Sequence, residues 1–407
     1  MTQGRRVLIT DGEQRNSLAA VRSLGRAGYE VFVTAASRRS IAGASRFALG
    51  TAVVVDAATS PDTFFEQVRA YVRANDIDFV LPMSDPALLT LTARRAELDD
   101  AIVPWPDAER VRRICDKAAV LEAAREVGIA VPEQRIVNST GEALAAAGEL
   151  RWPLVLKPSR TVRLHDDGAM VGLSVRHASD EASLLARLDD LGYAAFPLLL
   201  QQRIVGPGIG TFLLTWDGQV VARFAHRRIR EWPPSGGVSV YAESVEMDPA
   251  LLERSVALLQ RFDWQGVAMV EYKVDAATGT PYLMEVNGRF WGTLQLAIDA
   301  GVDFPSLLLA AARGGPVEPV LEYRTGVRTR WWWRDVEYLL VRLKHSPTRL
   351  SLPPGAPSRK EAVKAFIAAG LPHRDSDVLR VNDLMPFFTE TGEMLRGAMD
   401  RVLHRRR

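Results

Sequence analysis

Residues 266–292 read GVAMVEYKVDAATGTPYLMEVNGRFWG, and the rest of the chain is organised around them. Val267–Val274 is rich in β-branched and apolar residues and reads as a strand. Residues 275–281 carry the turn residues, and Tyr282–Asn287 reads as a second strand, so the pattern is a hairpin with a loop of moderate length. Alternate side chains of a strand share a face, which puts Glu285 and Asn287 on the same side. A hairpin symmetric about Thr278 sets Glu271 directly opposite Glu285. Two carboxylates facing each other across a ladder repel, and a cation between them relieves the repulsion. Two glutamates and an amide oxygen suit a hard ion such as Mg²⁺, which keeps waters and takes phosphate oxygens as further ligands. Arg289 follows two residues after Asn287 and is placed to reach such a phosphate. An edge hairpin with a solvated acidic face is the competing reading of the same spacing.

The chain has 407 residues, too many for one ordinary core, so two or three domains are expected. Apolar residues make up 47% and charged residues 25%, as in a soluble globular protein. No apolar run approaches the ~20 residues that span a bilayer, so no membrane partner is expected. The opening MTQGRRVLIT goes straight into a strand without a signal peptide, and the single cysteine, Cys115, excludes an intrachain disulfide. Both features fit a reducing cytoplasm. Cys115 itself reads as a packing residue in a helical stretch. A net charge of +2 does not mark a nucleic-acid binder, and the basic tail at 404–407 is short enough to be a solvated end.

Residues 5–105 alternate strands and helices in the βαβ rhythm of a parallel sheet. Arg5–Thr10, Glu30–Thr34, Ala52–Val55 and Asp78–Leu81 read as strands, and Ser17–Ala27 and Pro61–Ala74 as helices. The first turn, Asp11-Gly-Glu-Gln-Arg-Asn16, lacks the Gly-x-Gly-x-x-Gly fingerprint, which disfavours a nicotinamide cofactor. Asp11, Ser84 and Asp85 fall at strand ends, where they serve either a substrate or an ordinary turn and helix cap. Pro104-Trp-Pro106 reads as a linker and Asp107–Val127 as a helical run ending at Gly128. Trp152–Lys157 is an apolar strand closed by a lysine, a position that is costly unless an anion meets the charge. Residues 162–174, with Asp166-Asp-Gly168, read as a mobile turn. Phe196–Gln202 is another apolar strand, and the glycines at 206, 208 and 210 suit close backbone approach to a ligand.

Thr211–Trp216 and Gln219–His226 form a hairpin around Asp217-Gly218. The basic cluster His226-Arg-Arg-Ile-Arg230 before Pro233-Pro-Ser-Gly-Gly237 suits a flexible lid over an anionic ligand, or else a solvated basic loop. Beyond about residue 325 the character changes to amphipathic helical segments. Trp331-Trp-Trp333 is expected to pack that extension onto the body.

Taken in order, Lys117, Val127–Pro132, Leu156-Lys157-Pro158, Leu198–Gln202 with its glycine-rich sequel, Glu271, and Glu285-Val-Asn-Gly-Arg289 resemble the ATP-grasp superfamily. The likeness is to its carboxylate–amine ligase and carbamoyl-phosphate-synthase-like branch. It covers roughly residues 105–315, and more loosely 5–105. It implies an α/β and α+β ATP-grasp fold in three parts. Residues 1–105 would be a Rossmann-like parallel-sheet domain, 106–325 a two-lobed ATP-binding domain, and 326–407 a mostly helical extension. It further implies ATP between the lobes, with Lys117 and Lys157 on phosphates and adenine and the Gln202–Arg203–Ile204 backbone as the adenine hinge. Glu271, Glu285 and Asn287 would hold Mg²⁺, or Mn²⁺ in its place. Arg289 and a lid arginine, Arg228, would stabilise the transferring phosphate. The implied reaction joins a small-molecule carboxylate to an amine through an acyl phosphate, in a cytoplasmic protein that could act as a homodimer. A carboxylase or carbamoyl-phosphate-type enzyme and a nucleotide-binding protein without turnover are the alternatives. Two departures stand out: the hinge carries Gln202 where the family often has Glu, and Pro207–Gly210 occupies the region of the expected ribose-binding acid.

Overall fold

The computed structural model describes residues 5–158, 162–164, 170–172, 175–192, 196–370 and 376–404. The turn at Asp166-Asp-Gly168 and the last three arginines lie outside the described residues. The N-terminal strands are β1 (Arg6–Ile9), β2 (Glu30–Ala35), β3 (Ala48–Val53) and β4 (Phe79–Leu81). They form a parallel sheet in the order β3-β2-β1-β4. Strands β1 and β4 are apolar on both faces, as a sheet covered by helices on both sides requires. The covering helices include α1 (Arg15–Arg26), α2 (Pro61–Ala74) and α3 (Asp85–Ala93).

The helical run expected over 107–127 is two helices, α4 (Ala108–Cys115) and α5 (Lys117–Glu126). Asp116 breaks the run: its backbone is extended, and its carboxylate accepts from the amides of Ala118 and Ala119. An aspartate that caps in this way starts a new helix. Lys117 therefore opens α5 instead of lying mid-helix.

The next unit carries β5 (Gln134–Val137), α6 (Thr140–Glu149), β6 (Leu154–Pro158), β7 (Val162–Leu164), β8 (Met170–Gly172), β9 (Arg176–Ala178), α7 (Glu181–Leu191) and β10 (Leu198–Gln202). Its antiparallel sheet runs β5-β10-β6-β9, while β7 pairs with β8. Leu154, Leu156, Leu184, Leu198 and Leu200 belong to a small core of its own.

The largest sheet is built from β11 (Gly208–Trp216), β12 (Gln219–Trp232), β13 (Val238–Ser244), β14 (Gly266–Val274), β15 (Pro281–Asn287) and β16 (Arg328–Arg330), in the order β15-β14-β11-β12-β13-β16. Asp217 and Gly218 both adopt positive φ, 48° and 76°, as a two-residue hairpin turn of this handedness demands. Helices α8 (Pro249–Gln260), α9 (Leu294–Ala300) and α10 (Phe304–Ala312) accompany the sheet. One continuous core joins this sheet to the N-terminal domain.

The extension holds α11 (Trp332–Lys344), α12 (Arg359–Ala368) and α13 (Met385–His404). Trp332 lies against Phe366 and Trp333 stacks on Phe387, both within the extension, and Trp331 meets the body through Arg15 of α1, whose guanidinium lies 3.8 Å from its ring centroid. Buried ion pairs tie the extension to the body. Arg230 and Arg330 both bond Asp335, and Arg22 of α1 bonds Asp383.

The lid expectation does not hold. Residues 226–232 are the second half of β12, paired with β11 on one side and β13 on the other, and only 233–237 turn. The basic cluster is thus part of a sheet, with His226 and Arg230 facing inward, and it is not a lid. At Gly206, an added Cβ would lie 1.8 Å from the Val274 carbonyl oxygen. The close approach there is to the end of β14.

Candidate active site

The β14–β15 ladder pairs Glu271 with Glu285 and Met269 with Asn287, and a bulge follows Glu271. The opposition inferred from hairpin symmetry is present. Glu285 Oε1 accepts from Asn287 Nδ2 at 3.0 Å, so these two side chains do share a face. Asn287 Oδ1 in turn accepts from Arg289 Nη2 at 3.2 Å.

Each carboxylate has a protein cation beside it. Arg228 crosses from β12 to donate to Glu271, and its other nitrogen donates to Glu231 at 3.0 Å. Gly208 leaves room for this crossing, since a Cβ there would lie 2.9 Å from Arg228 Cδ. Burial works against the Arg228 charge, but Glu271 and Glu231 outweigh it and hold the guanidinium protonated. Arg228 was expected on a lid; it is instead a buried counter-ion on the sheet face, because β12 continues through it. Lys117 Nζ lies 3.7 Å from Glu285 Oε2. Burial opposes the Glu285 charge, yet Lys117, the Asn287 amide and Lys157 prevail and bring its carboxyl down to about 2. Glu271 goes the other way. Its burial raises the carboxyl despite Arg228, and the Glu285 charge adds to the rise.

Lys157, on β6, makes no ion pair among the described residues. Burial first, and then the nearby Lys117 charge, push its ammonium down to about 8, with Glu285 and Glu271 pulling back. Arg289 is held by the N-terminal domain. Its Nε and Nη2 donate to Asp85 at 2.8 and 3.1 Å, and its Nη1 donates to the Phe290 carbonyl at 3.0 Å. His226 is fully buried, with Nδ1 3.2 Å from the Thr293 hydroxyl and Nε2 without a partner. Burial keeps it neutral.

Lys117, Lys157, Gln202, Arg203, Ile204, Arg228, Glu271, Glu285, Asn287 and Arg289 all line one cavity of about 450 Å³. At the hinge, the Gln202 and Arg203 amides already donate to the carbonyls of Glu133 and Pro153. Among the described residues the Ile204 amide donates to no backbone carbonyl, which leaves it as the donor the hinge offers. The Arg203 side chain bonds the carbonyls of Ser351 and Ser235, so it fixes the extension and the 233–237 turn at the cavity mouth. Its role is that of a strut.

Of the three strand-end residues in the N-terminal domain, Ser84 caps α3 and Asp11 bonds Thr10 and the Met83 amide. Asp85 alone reaches the site, through Arg289. The cavity also takes in Arg15, Glu231, His226 and Pro353, which sequence reasoning missed as site residues. The parity of His226 and Arg228 along one strand was the only signal for the histidine. Nothing local marks Arg15 or Pro353, which tertiary packing brings in.

The donor set fits a hard divalent ion: two carboxylates and an amide oxygen on one wall of one cavity. Among the described residues no cluster of three or more His, Cys, Asp or Glu side chains could cage a metal alone. An ion there needs waters or substrate oxygens to complete its shell.

A family model described as "ATP-grasp in the biosynthetic pathway with Ter operon" matches residues 195–334. The chain is 22% identical to the carbamoyl phosphate synthase large chain of Thermotoga neapolitana over 351 residues, 80% of this chain and 30% of that protein. It is 28% identical to the D-alanine–D-alanine ligase of Ectopseudomonas mendocina over 217 residues, 48% of this chain and 63% of that one. The chain thus spans less than two thirds of either relative. The structure of an N5-carboxyaminoimidazole ribonucleotide synthetase in complex with ADP superposes with a TM-score of 0.63, covering 84% of this chain and 86% of that one at 15% identity. These matches show an ATP-grasp fold, and the paired glutamates lie inside the segment, 195–334, that the ATP-grasp family model matches.

Proposed function

We propose that this protein is an ATP-dependent ligase that joins a carboxylate to an amine through an acyl phosphate and releases ADP and phosphate. One observation carries the reading: Glu271 and Glu285 face each other with Asn287 beside them, in a cavity that Lys117, Lys157 and Arg289 also line. Glu271, Glu285 and Asn287 would hold Mg²⁺, or Mn²⁺, which supplies charge neutralisation at the phosphates when bound. Lys117 and Lys157 oppose the phosphate charge from the other wall. Arg289, oriented by Asp85, sits where charge develops on the transferring group. The Ile204 amide and the apolar side chains of Val155 and Met269 suit a flat base.

The D-alanine–D-alanine ligase relative supports carboxylate–amine ligation. The match to carbamoyl phosphate synthase covers more of this chain, 80% against 48%, and favours as second reading a carboxylase or carbamoyl-phosphate-type reaction at the same site. The substrates would be small molecules in either case, and a homodimer is the assembly we favour. Among the described residues no single helix is long and apolar enough to cross a membrane. ADP release measured with pools of carboxylates, of amines and of bicarbonate separates the readings. Release that needs both a carboxylate and an amine supports the ligase. Release driven by bicarbonate supports the second reading, and nucleotide binding without release under any pool refutes both.

A further inference from the structure

A second cavity of about 680 Å³ lies between α3, the α4–α5 break and β15. It shares Lys117, Met284, Glu285, Asn287 and Arg289 with the first cavity, so the two meet across the end of β15. That is geometrically permitted because β15 is an edge strand. Another cavity, of about 510 Å³ beside α13, shares only Arg15 and Gly292 with the first and touches none of the metal-end residues. A substrate that must meet the terminal phosphate therefore has its natural berth in the β15 cavity.

The chemistry of the walls narrows the ligand. Pro86, Leu89, Ile114, Val120 and Val286 give an apolar body. Cationic nitrogens, those of Lys117 and Arg289, stand at the shared wall. Asp85 pairs with Arg289, Asp116 caps α5, and Glu285 accepts from Asn287 and lies 3.7 Å from Lys117, so these acids offset part of the charge of Lys117 and Arg289, and Arg112 lines the same cavity as a third cation. A volume of this size with an apolar wall and a few convergent polar groups is that of a small-ligand site.

We propose that this second cavity binds the carboxylate substrate, a monocarboxylate with an apolar body, with its head group at Lys117 and Arg289. The inference rests on the ligase reading above. In the step it serves, a carboxylate oxygen forms a bond to the terminal phosphorus of ATP. The bond from that phosphorus to the bridging oxygen breaks, ADP leaves with the electron pair, and no proton moves.

The test is calorimetric titration of the full chain with butyrate, hexanoate and octanoate in the presence of Mg·ADP, with hexylamine and hexanol as controls. Affinity should climb by up to about fourfold per added methylene. Hexylamine and hexanol should bind about tenfold more weakly than hexanoate. Leu89→Trp, which fills the apolar wall, should flatten the chain-length series and leave Mg·ADP affinity unchanged. Thr90→Trp on the same helix serves if Leu89→Trp does not fold. A flat series in the wild type, a rise that the filled variant retains, or hexylamine matching hexanoate would each overturn the assignment. Measuring carboxylate-dependent ADP formation alongside keeps the two claims apart. Chain-length-dependent binding without ADP formation removes the ligase reading and leaves the cavity assignment standing. ADP formation whose KM for the acid is the same in wild type and Leu89→Trp removes the cavity assignment and leaves the ligase.

Discussion

Lys157 offers a perturbation whose size follows from the structure. Its ammonium is pushed down to about 8 from the usual lysine value of 10.5 by burial and by Lys117, against the pull of Glu285 and Glu271. Lys273 adds to the depression, and His177, which also lines the cavity, is itself held neutral down to about 3. Bound phosphates favour the charged lysine, so nucleotide binding takes up a proton wherever the free site has lost it. Affinity is then full below pH 8 and falls as pH rises through 8. With the bound-state value restored to that of an ordinary lysine, Kd for Mg·ADP should rise about tenfold between pH 7 and pH 9, equivalent to ~1.4 kcal/mol. Lys157→Met should bind weakly at both values with a flat profile. Lys157→Arg should retain affinity and also lose the pH dependence, because guanidinium stays charged throughout. Calorimetry in buffers of different ionisation heat reads both the affinity and the proton uptake. A wild-type profile that Lys157→Met reproduces would refute the reasoning. The same depression has a sign for stability: the unfolded lysine keeps its proton between pH 8 and 10.5 while the folded one has lost it. This residue's contribution to the ligand-free fold therefore grows more favourable as pH rises through that window.

Glu285→Gln should lower Mg²⁺-dependent turnover by about 10²- to 10³-fold with an unchanged melt, because it removes charge needed during phosphoryl transfer. Asp85→Asn should cut kcat about tenfold and leave Mg·ADP affinity within about twofold, because it frees Arg289 without touching the nucleotide wall; stopped assays beside calorimetry check the split. Asp383→Ala leaves the fully buried Arg22 without its carboxylate and should cost about 3–5 kcal/mol in denaturant unfolding. Trypsin should not cut at Arg227 or Arg228 with or without Mg·ATP, since both sit in a strand paired on two sides; rapid cutting there in the free protein would restore the lid.

Legibility from sequence followed the range of the interactions. The β14–β15 hairpin was readable because its signals are local: strand parity, a turn between two apolar runs, and a repulsion that needs an answer. What answers it was not readable. Arg228 reaches Glu271 across one intervening strand, and only the pairing of β12 with β11 and of β11 with β14 brings them together. The lid expectation failed for the same reason. A run of basic residues before Pro-Pro-Ser-Gly-Gly has loop composition, but His226 and Arg228 share the face that meets Thr293 and Glu271, and a bulge after Arg228 turns Arg230 to the other face, where it meets Asp335. Asp116 was a cap hidden within a helical run, a single-residue feature that periodicity averages away. Asp85 was legible as a strand-end residue, but its link to Arg289, like the entry of Arg15 into the cavity, comes from domain packing.

The central claim is that these side chains transfer a phosphoryl group from ATP to a carboxylate. Its most direct test supplies a pool of monocarboxylates and amino acids labelled with heavy oxygen in the carboxyl group, together with Mg·ATP and unlabelled amines. The inorganic phosphate released is then analysed by mass spectrometry. The account predicts that one carboxyl oxygen appears in each phosphate and that Glu285→Gln slows release of labelled phosphate by about 10²- to 10³-fold. Formation of ADP with wholly unlabelled phosphate would contradict it.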